Sequence, residues 1–379
     1  LSAINTAPNA DVTLTLEAAR NIDINAAIAA SGSNKLNLVL NSSSGYINTS
    51  SAGAITTNGG NLTVMNSQDS AINSTLNLGL GQLFKAKSGD LALNLNNTIG
   101  NVSIDGGSLT LLKAQSAGNG STISLNGGDL VLMSDTNTSY ASNVVVNASG
   151  QIISTAATLN ANVLHTLGNL SFAQSGLTLD VNTDATIDTA NGTTAGLAVS
   201  NVSLSSGTST ISIVDQNVSL NISGNVSGTG NLTQAGSGVL ILAGTANTYS
   251  GSTNINGGEL FLTGGGVSNS VVNISLGAVL NIAVANASVK SLAGNGSTVL
   301  TGKTLTVVNG SDNFLGNISG TGNLTIAAGT QTLSGTHNSY GGVTSIDGGA
   351  TLIIGGAGRL GNGAYTSRIN NNGTFNYSS

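Results

Sequence analysis

Asp180, Asp184 and Asp188 stand together in the segment LDVNTDATID and form the best carboxylate constellation in the chain. Paired carboxylates drive glycoside hydrolysis, one as acid and the other as nucleophile or base, and the pair must sit roughly 5–9.5 Å apart. In one extended strand, residues four apart are separated by about 13 Å. A turn at Asn182–Thr183 would bring them closer, as a weak candidate Ca²⁺ site. A solvated turn is the plainer reading.

The remaining chemistry is sparse. His165 and His337 are the only histidines, and neither has a motif partner that suggests a triad. There is no cysteine, which removes thiol catalysis, zinc-thiolate sites and a disulfide framework. The GTGN runs at Gly228–Asn231 and Gly320–Asn323 are not followed by helices, so they lack the phosphate-cradling context. Phe84-Lys85-Ala86-Lys87 is the most charged local cluster and reads as a solvated bend. No catalytic residue and no cofactor is expected.

The composition is far from that of an ordinary globular chain. Of 379 residues only 6% are charged and 3% aromatic, with 53 Gly, one Pro and no Trp, where about 25% charge is typical. The 39% hydrophobic residues alternate regularly, which gives the chain a core to bury and argues against disorder. The net charge is −6 and the nine cations are scattered, so no basic stripe exists for nucleic acid or anionic lipid. No apolar run reaches the ~18–20 residues that span a bilayer, and Leu1–Ala10 lacks the marks of a signal peptide.

Period-two alternation marks the strands: VTLTL at Val12–Leu16, LNLVL at Leu36–Leu40, LALNL at Leu91–Leu95, VSLNI at Val218–Ile222 and KTLTVV at Lys303–Val308. LEAARNIDINAAIAA (Leu16–Ala30) has a helical composition, yet Ile22, Ile24 and Ile28 fit alternating strands, and strand is the expectation. A Gly-Gly-x-apolar-x-apolar element opens at Gly59, Gly106, Gly127 and Gly257, with a longer copy at Gly348. The Gly106 and Gly127 copies are 21 residues apart, about one turn of a parallel β-helix.

A larger unit is written twice. Residues 225–262 read NVSGTGNLTQAGSGVLILAGTANTYSGSTNINGGELFL, and residues 317–354 read NISGTGNLTIAAGTQTLSGTHNSYGGVTSIDGGATLII. Such repetition signals a stack in which each unit buries its apolar face only against its neighbours. The expected fold is all-β: a single right-handed parallel β-helix of roughly 20 residues per coil, continuous over 1–379. Its coils should be looser over 1–220 and more regular over 221–379. Gly and Asn take the sharp turns, Leu, Val and Ile stack inside, and Asn and Thr form side-chain ladders. Tyr249 and Tyr340 recur at one repeat position and are expected to pack. No polar cap is visible at either end, so the polypeptide continues or the ends stack on other copies.

Gly236–Leu262, GSGVLILAGTANTYSGSTNINGGELFL, resembles the autotransporter-associated β-strand repeat of Gram-negative surface proteins. The second copy departs at Gln331-Thr332-Leu333, a weaker strand, and at Asn338-Ser339-Tyr340-Gly341-Gly342. NIDINAAIAASGSNKLNLVLNSSSGYI (Asn21–Ile47) is similar to filamentous-haemagglutinin-style β-helices. The resemblance implies a passenger exported by a type V route, extracellular or on the bacterial surface, whose precursor carries an outer-membrane translocator. It implies adhesion, aggregation or biofilm contacts with other copies or with host or neighbour cell-surface glycans or proteins. A self-assembling filament or sheath subunit is the alternative, and a carbohydrate-active β-helix enzyme is a distant third.

Overall fold

Alternation makes the strands and register stacks them. The computed structural model describes residues 3–158, 162–183 and 195–378. Among them the strand pairings are parallel, forming a β-solenoid of about 17 turns with about 21 residues per coil. The coils average slightly longer than the roughly 20 residues expected. Ile4 pairs with Ile28, Leu38 with Leu62 and Val163 with Ala195. The segment with helical composition folds as strands Val12–Ala18, Ile22–Ile24 and Ile28–Ala30. A 3-10 turn at Gly361–Gly363 is the helical element present among the described residues.

The chain divides into two compact units, Leu1–Ser171 with Leu179–Ala198, and Phe172–Thr178 with Val199–Ser379. In the first, one wall is built from Leu36–Ser42, Leu62–Met65, Gln82–Ala86, Asn101–Ile104, Thr122–Leu125 and Asn143–Val146. A second wall follows each strand of the first after a turn. There Leu91, Leu109, Leu130 and Ile152 stand in register, all fully buried. The Gly106 and Gly127 elements are therefore neighbours in successive coils, as their spacing predicts.

In the second unit, one wall runs through Val218–Ile222, Val239–Leu242, Glu259–Leu262, Val279–Ile282, Ser297–Leu300 and Asn317–Gly320. Its inner column is Leu220, Leu240, Leu260, Leu280, Thr298 and Ile318. Each buried Leu contributes about 1.5–3 kcal/mol of transfer free energy. Thr298 interrupts the column, and its Oγ1 is buried with no hydrogen-bond partner. The turn into Glu259–Leu262 needs glycine. Gly258 has φ +59°, and a Cβ there would stand 2.2 Å from the Gly238 carbonyl oxygen one coil below.

The other wall of this unit splits. The strand Ala287–Gly294 pairs with Thr304–Val307 near its start and with Phe314 at its end. The N–H groups of Val308 and Asn309 still donate to the Val289 and Lys290 carbonyls, and residues 310–312 of the intervening coil then leave the ladder between these two contacts. Leu292 would have lost its backbone partners at that gap. Gln331, fully buried, fills it from two coils away.

Candidate functional site

The expected carboxylate group is only partly described. Asp180 lies on the strand Leu177–Asn182 and points away from the core. Asp184 and Asp188 lie outside the described residues. The neighbour of Asp180 in the coil below is Gln151, whose side-chain amide donates to Asp129 Oδ2 at 2.9 Å. An amide thus separates these two carboxylates along the column. No group of three or more His, Asp or Glu able to hold a metal ion occurs among the described residues.

The histidines part ways. His337 is exposed, with Nδ1 2.6 Å from Thr336 Oγ1. His165 is fully buried, with Nδ1 3.0 Å from Ser154 Oγ and its ring edge-to-face against Tyr140 at 5.6 Å. Burial pushes its pKa down to about 4, the Ser134 backbone opposing weakly. The Ser154–His165 pairing was invisible in sequence because eleven residues and a turn separate the two. Ser154 donates to the Gly196 carbonyl at 2.8 Å and is itself fully buried, so the pair has no surface from which to meet a substrate.

Asparagine does its work through the backbone. Asn37, Asn61 and Asn101 each place Oδ1 on the N–H of Asn61, Gln82 and Thr122 one coil on, at 3.0, 2.9 and 3.0 Å. In the second unit Asn225, Asn231, Asn317 and Asn323 do the same to Ala246, Ser252, His337 and Val343 at 2.8–3.0 Å. Each bond satisfies a backbone donor at the start or flank of a strand, where the ladder offers none. Side-chain ladders of the expected kind also occur, as in Asn147 Nδ2 to Asn126 Oδ1 at 2.8 Å. The side-chain-to-backbone bond, however, is the recurrent device.

The written-twice block carries a second device inside. Asn247 and Asn338 are equivalent and buried. Asn338 accepts from the Ile318 N–H at 3.0 Å and donates to the Gly335 and Arg359 carbonyls at 2.8 and 3.1 Å. Asn247 does likewise with Val226, Gly244 and Gly266. Beside them, Tyr249 and Tyr340 are buried as expected, and each hydroxyl meets the Thr four residues on, Thr253 or Thr344. A further hydroxyl continues each relay to a glycine carbonyl: Ser270 to Gly251, Tyr365 to Gly342. Burial pushes the Tyr249 hydroxyl up to about 12 and Tyr340 higher.

The Phe84–Lys87 cluster departs from expectation. It is the end of the strand Gln82–Ala86, and Lys85 points inward, fully buried. Its Nζ donates to the Ala86, Lys87 and Gly106 carbonyls at 3.1, 2.9 and 2.9 Å. Desolvation lowers its pKa to about 8, against the raising influence of Asp90. Lys87 reaches down to Asn41 Oδ1 and the Ser42 carbonyl, both at 2.8 Å. The two ammonium groups therefore act as struts, and the alternation of the strand had already placed Lys85 on the inner face.

Residues 232–260 and 328–354 match the passenger-associated-transport-repeat family. These two blocks are repeats of an autotransporter passenger. Over 222 residues, 55% of this chain, the sequence is 32% identical to the adhesin BmaC autotransporter of Brucella suis biovar 1 (strain 1330). The chain spans about 6% of the length of that relative. No solved structure matches. The matched blocks contain Tyr249 with Thr253, Tyr340 with Thr344, and the buried Gln234 and Gln331, while Ser270 and Tyr365, which end the two relays, lie beyond them.

Proposed function

We propose that this chain is a non-catalytic adhesive segment of a passenger displayed on, or released from, a bacterial surface. Its precursor carries an outer-membrane translocator. The observation that carries this reading is the pair of passenger repeats in a chain 32% identical, over 222 residues, to an autotransporter adhesin. The physical design agrees with it. The buried polar groups brace backbone rather than converge on a cleft, and the outward strand faces present Asn, Ser and Thr in rows. Contacts would be spread over such faces, with host or neighbouring-cell glycans or proteins, or other copies, as partners.

The test is to coat inert beads with the purified chain and count their attachment to cultured epithelial cells and to one another. Attachment above that of beads coated with an unrelated solenoid supports the reading. Beads that attach to nothing, from chains that grow into fibres as concentration rises, would replace it with the filament reading.

A further inference from the structure

We infer that the outer face around Phe84 is a binding site for a neutral oligosaccharide; this rests on the adhesive reading and gives it a ligand class. Phe84 projects outward from the middle of the strand Gln82–Ala86 and is half-buried. Its column continues through Ser103 and Ser124 on the next two coils. Gln82, Asn101 and Thr122 flank it on one side, and Asn126 closes the other, around a shallow groove of about 160 Å³.

The polar groups are ordered in advance. Asn126 Nδ2 donates to Ser103 Oγ at 2.7 Å and to Asp105 Oδ1 at 2.8 Å, and Ser103 Oγ donates to the same Asp105 oxygen at 2.8 Å. Asn101 spends its Oδ1 on the Thr122 N–H at 3.0 Å, which leaves its amide as a donor. Behind the ring, Lys85 ties the end of the strand to three carbonyls. Holding the ring and its polar neighbours fixed lowers the ordering cost of binding.

The chemistry selects the ligand. The lining holds no cation, because Lys87 is turned away onto Asn41 and Ser42, so an anion gains nothing. An apolar peptide would cover the Asn101 amide and the Thr122 and Ser124 hydroxyls without satisfying them, at a desolvation cost. A sugar ring offers both faces required: C–H groups for the aromatic ring, and hydroxyls that accept from the Asn101 amide and pair with the Thr122 and Ser124 hydroxyls. Successive coils stand ~4.8 Å apart, so the polar rows repeat at a spacing that suits a chain of such rings.

Maltohexaose, cellohexaose and chitohexaose, titrated separately into the purified chain and followed by calorimetry and by amide NMR shifts, test the site. At least one should bind with a Kd in the millimolar range or tighter, with shifts centred on strands Gln82–Ala86 and Asn101–Ile104. Phe84→Ala should weaken it at least about tenfold, the equivalent of ~1.4 kcal/mol. Phe84→Trp should retain it, Asn126→Ala should weaken it severalfold, and Phe261→Ala, at an outward aromatic of the other unit, should leave it unchanged. Binding by none of the three sugars, or binding that survives Phe84→Ala, overturns the proposal. If the sugars fail while coated beads still attach to cells, this site falls and the adhesive reading stands. If the sugars bind at Phe84 while the beads attach to nothing, the adhesive reading falls alone.

Discussion

Gln331 hydrogen-bonds both backbone groups of Leu292, a residue two coils away: the Leu292 N–H donates to Oε1 at 3.1 Å, and Nε2 donates to the Leu292 carbonyl at 3.0 Å. The side-chain amide thus stands in for a peptide group of the coil between, which leaves the ladder there. Nε2 also donates to the Asp312 and Thr332 carbonyls, and Ser291 Oγ donates to Oε1. The site is fully buried, so water cannot replace any of these bonds.

Gln331→Leu keeps the volume and removes the substitute peptide. It should cost about 2–4 kcal/mol, since a buried donor and acceptor are each left unmade. Stacked coils need not unfold in one step, so the sharper measurement is hydrogen exchange. The Leu292 amide should lose protection by at least about a hundredfold, while amides of the first unit keep theirs.

Asn338 and Asn317 offer a matched contrast. Asn338→Ala orphans one N–H and two carbonyls in a buried site and should cost about 2–4 kcal/mol. Asn317→Ala removes a single bond to the exposed His337 N–H, which water can take over, and should cost less than about 1 kcal/mol. Urea denaturation of the two variants should show this order.

Thr298 is a place to gain stability. Its hydroxyl is buried unpaired in a column of leucines, between Leu280 and Ile318. Thr298→Val replaces the hydroxyl with a methyl of similar size and should stabilise the second unit by about 1 kcal/mol. A denaturation midpoint below that of the parent chain would contradict this.

His165 makes the first unit acid-sensitive. Its folded pKa is lowered to about 4 from 6.5 by burial, so the unfolded chain takes up the proton first as pH falls. Stability is therefore full above about pH 6.5 and lost progressively down to about pH 4, by about 2–3 kcal/mol. His165→Gln cannot titrate. Between pH 7 and pH 4, the parent chain should lose about that much more stability than the variant in parallel urea titrations.

Much of the fold was legible because a solenoid is the direct expression of a short period. Leu109 and Leu130 are 21 residues apart in sequence and adjacent in space. What the sequence concealed was direction. Lys85 looked like part of a solvated bend because it is charged, although Leu83 and Lys85 share the inward parity of their strand. Gln331 made its strand look weak, and it is the residue that holds a gap closed. Asn247 and Asn338 stood in the repeat in plain view, but an asparagine in a corner and one bridging three coils are written with the same letter. Only register tells which backbone groups fall within reach. For the carboxylates, Asp180 stands on the outer face of a strand, while Asp184 and Asp188 lie outside the described residues.

The asparagine that reaches forward to the next coil asks only for an N–H, which every residue but proline owns. Asn225 holds Ala246 and Asn317 holds His337 by the same bond, at 3.0 and 2.9 Å, although one side chain is a methyl and the other an imidazole. The bracing of the stack is therefore blind to what its outer positions display. Mutation can redraw the exposed relief of such a surface, residue by residue, with the masonry beneath it undisturbed.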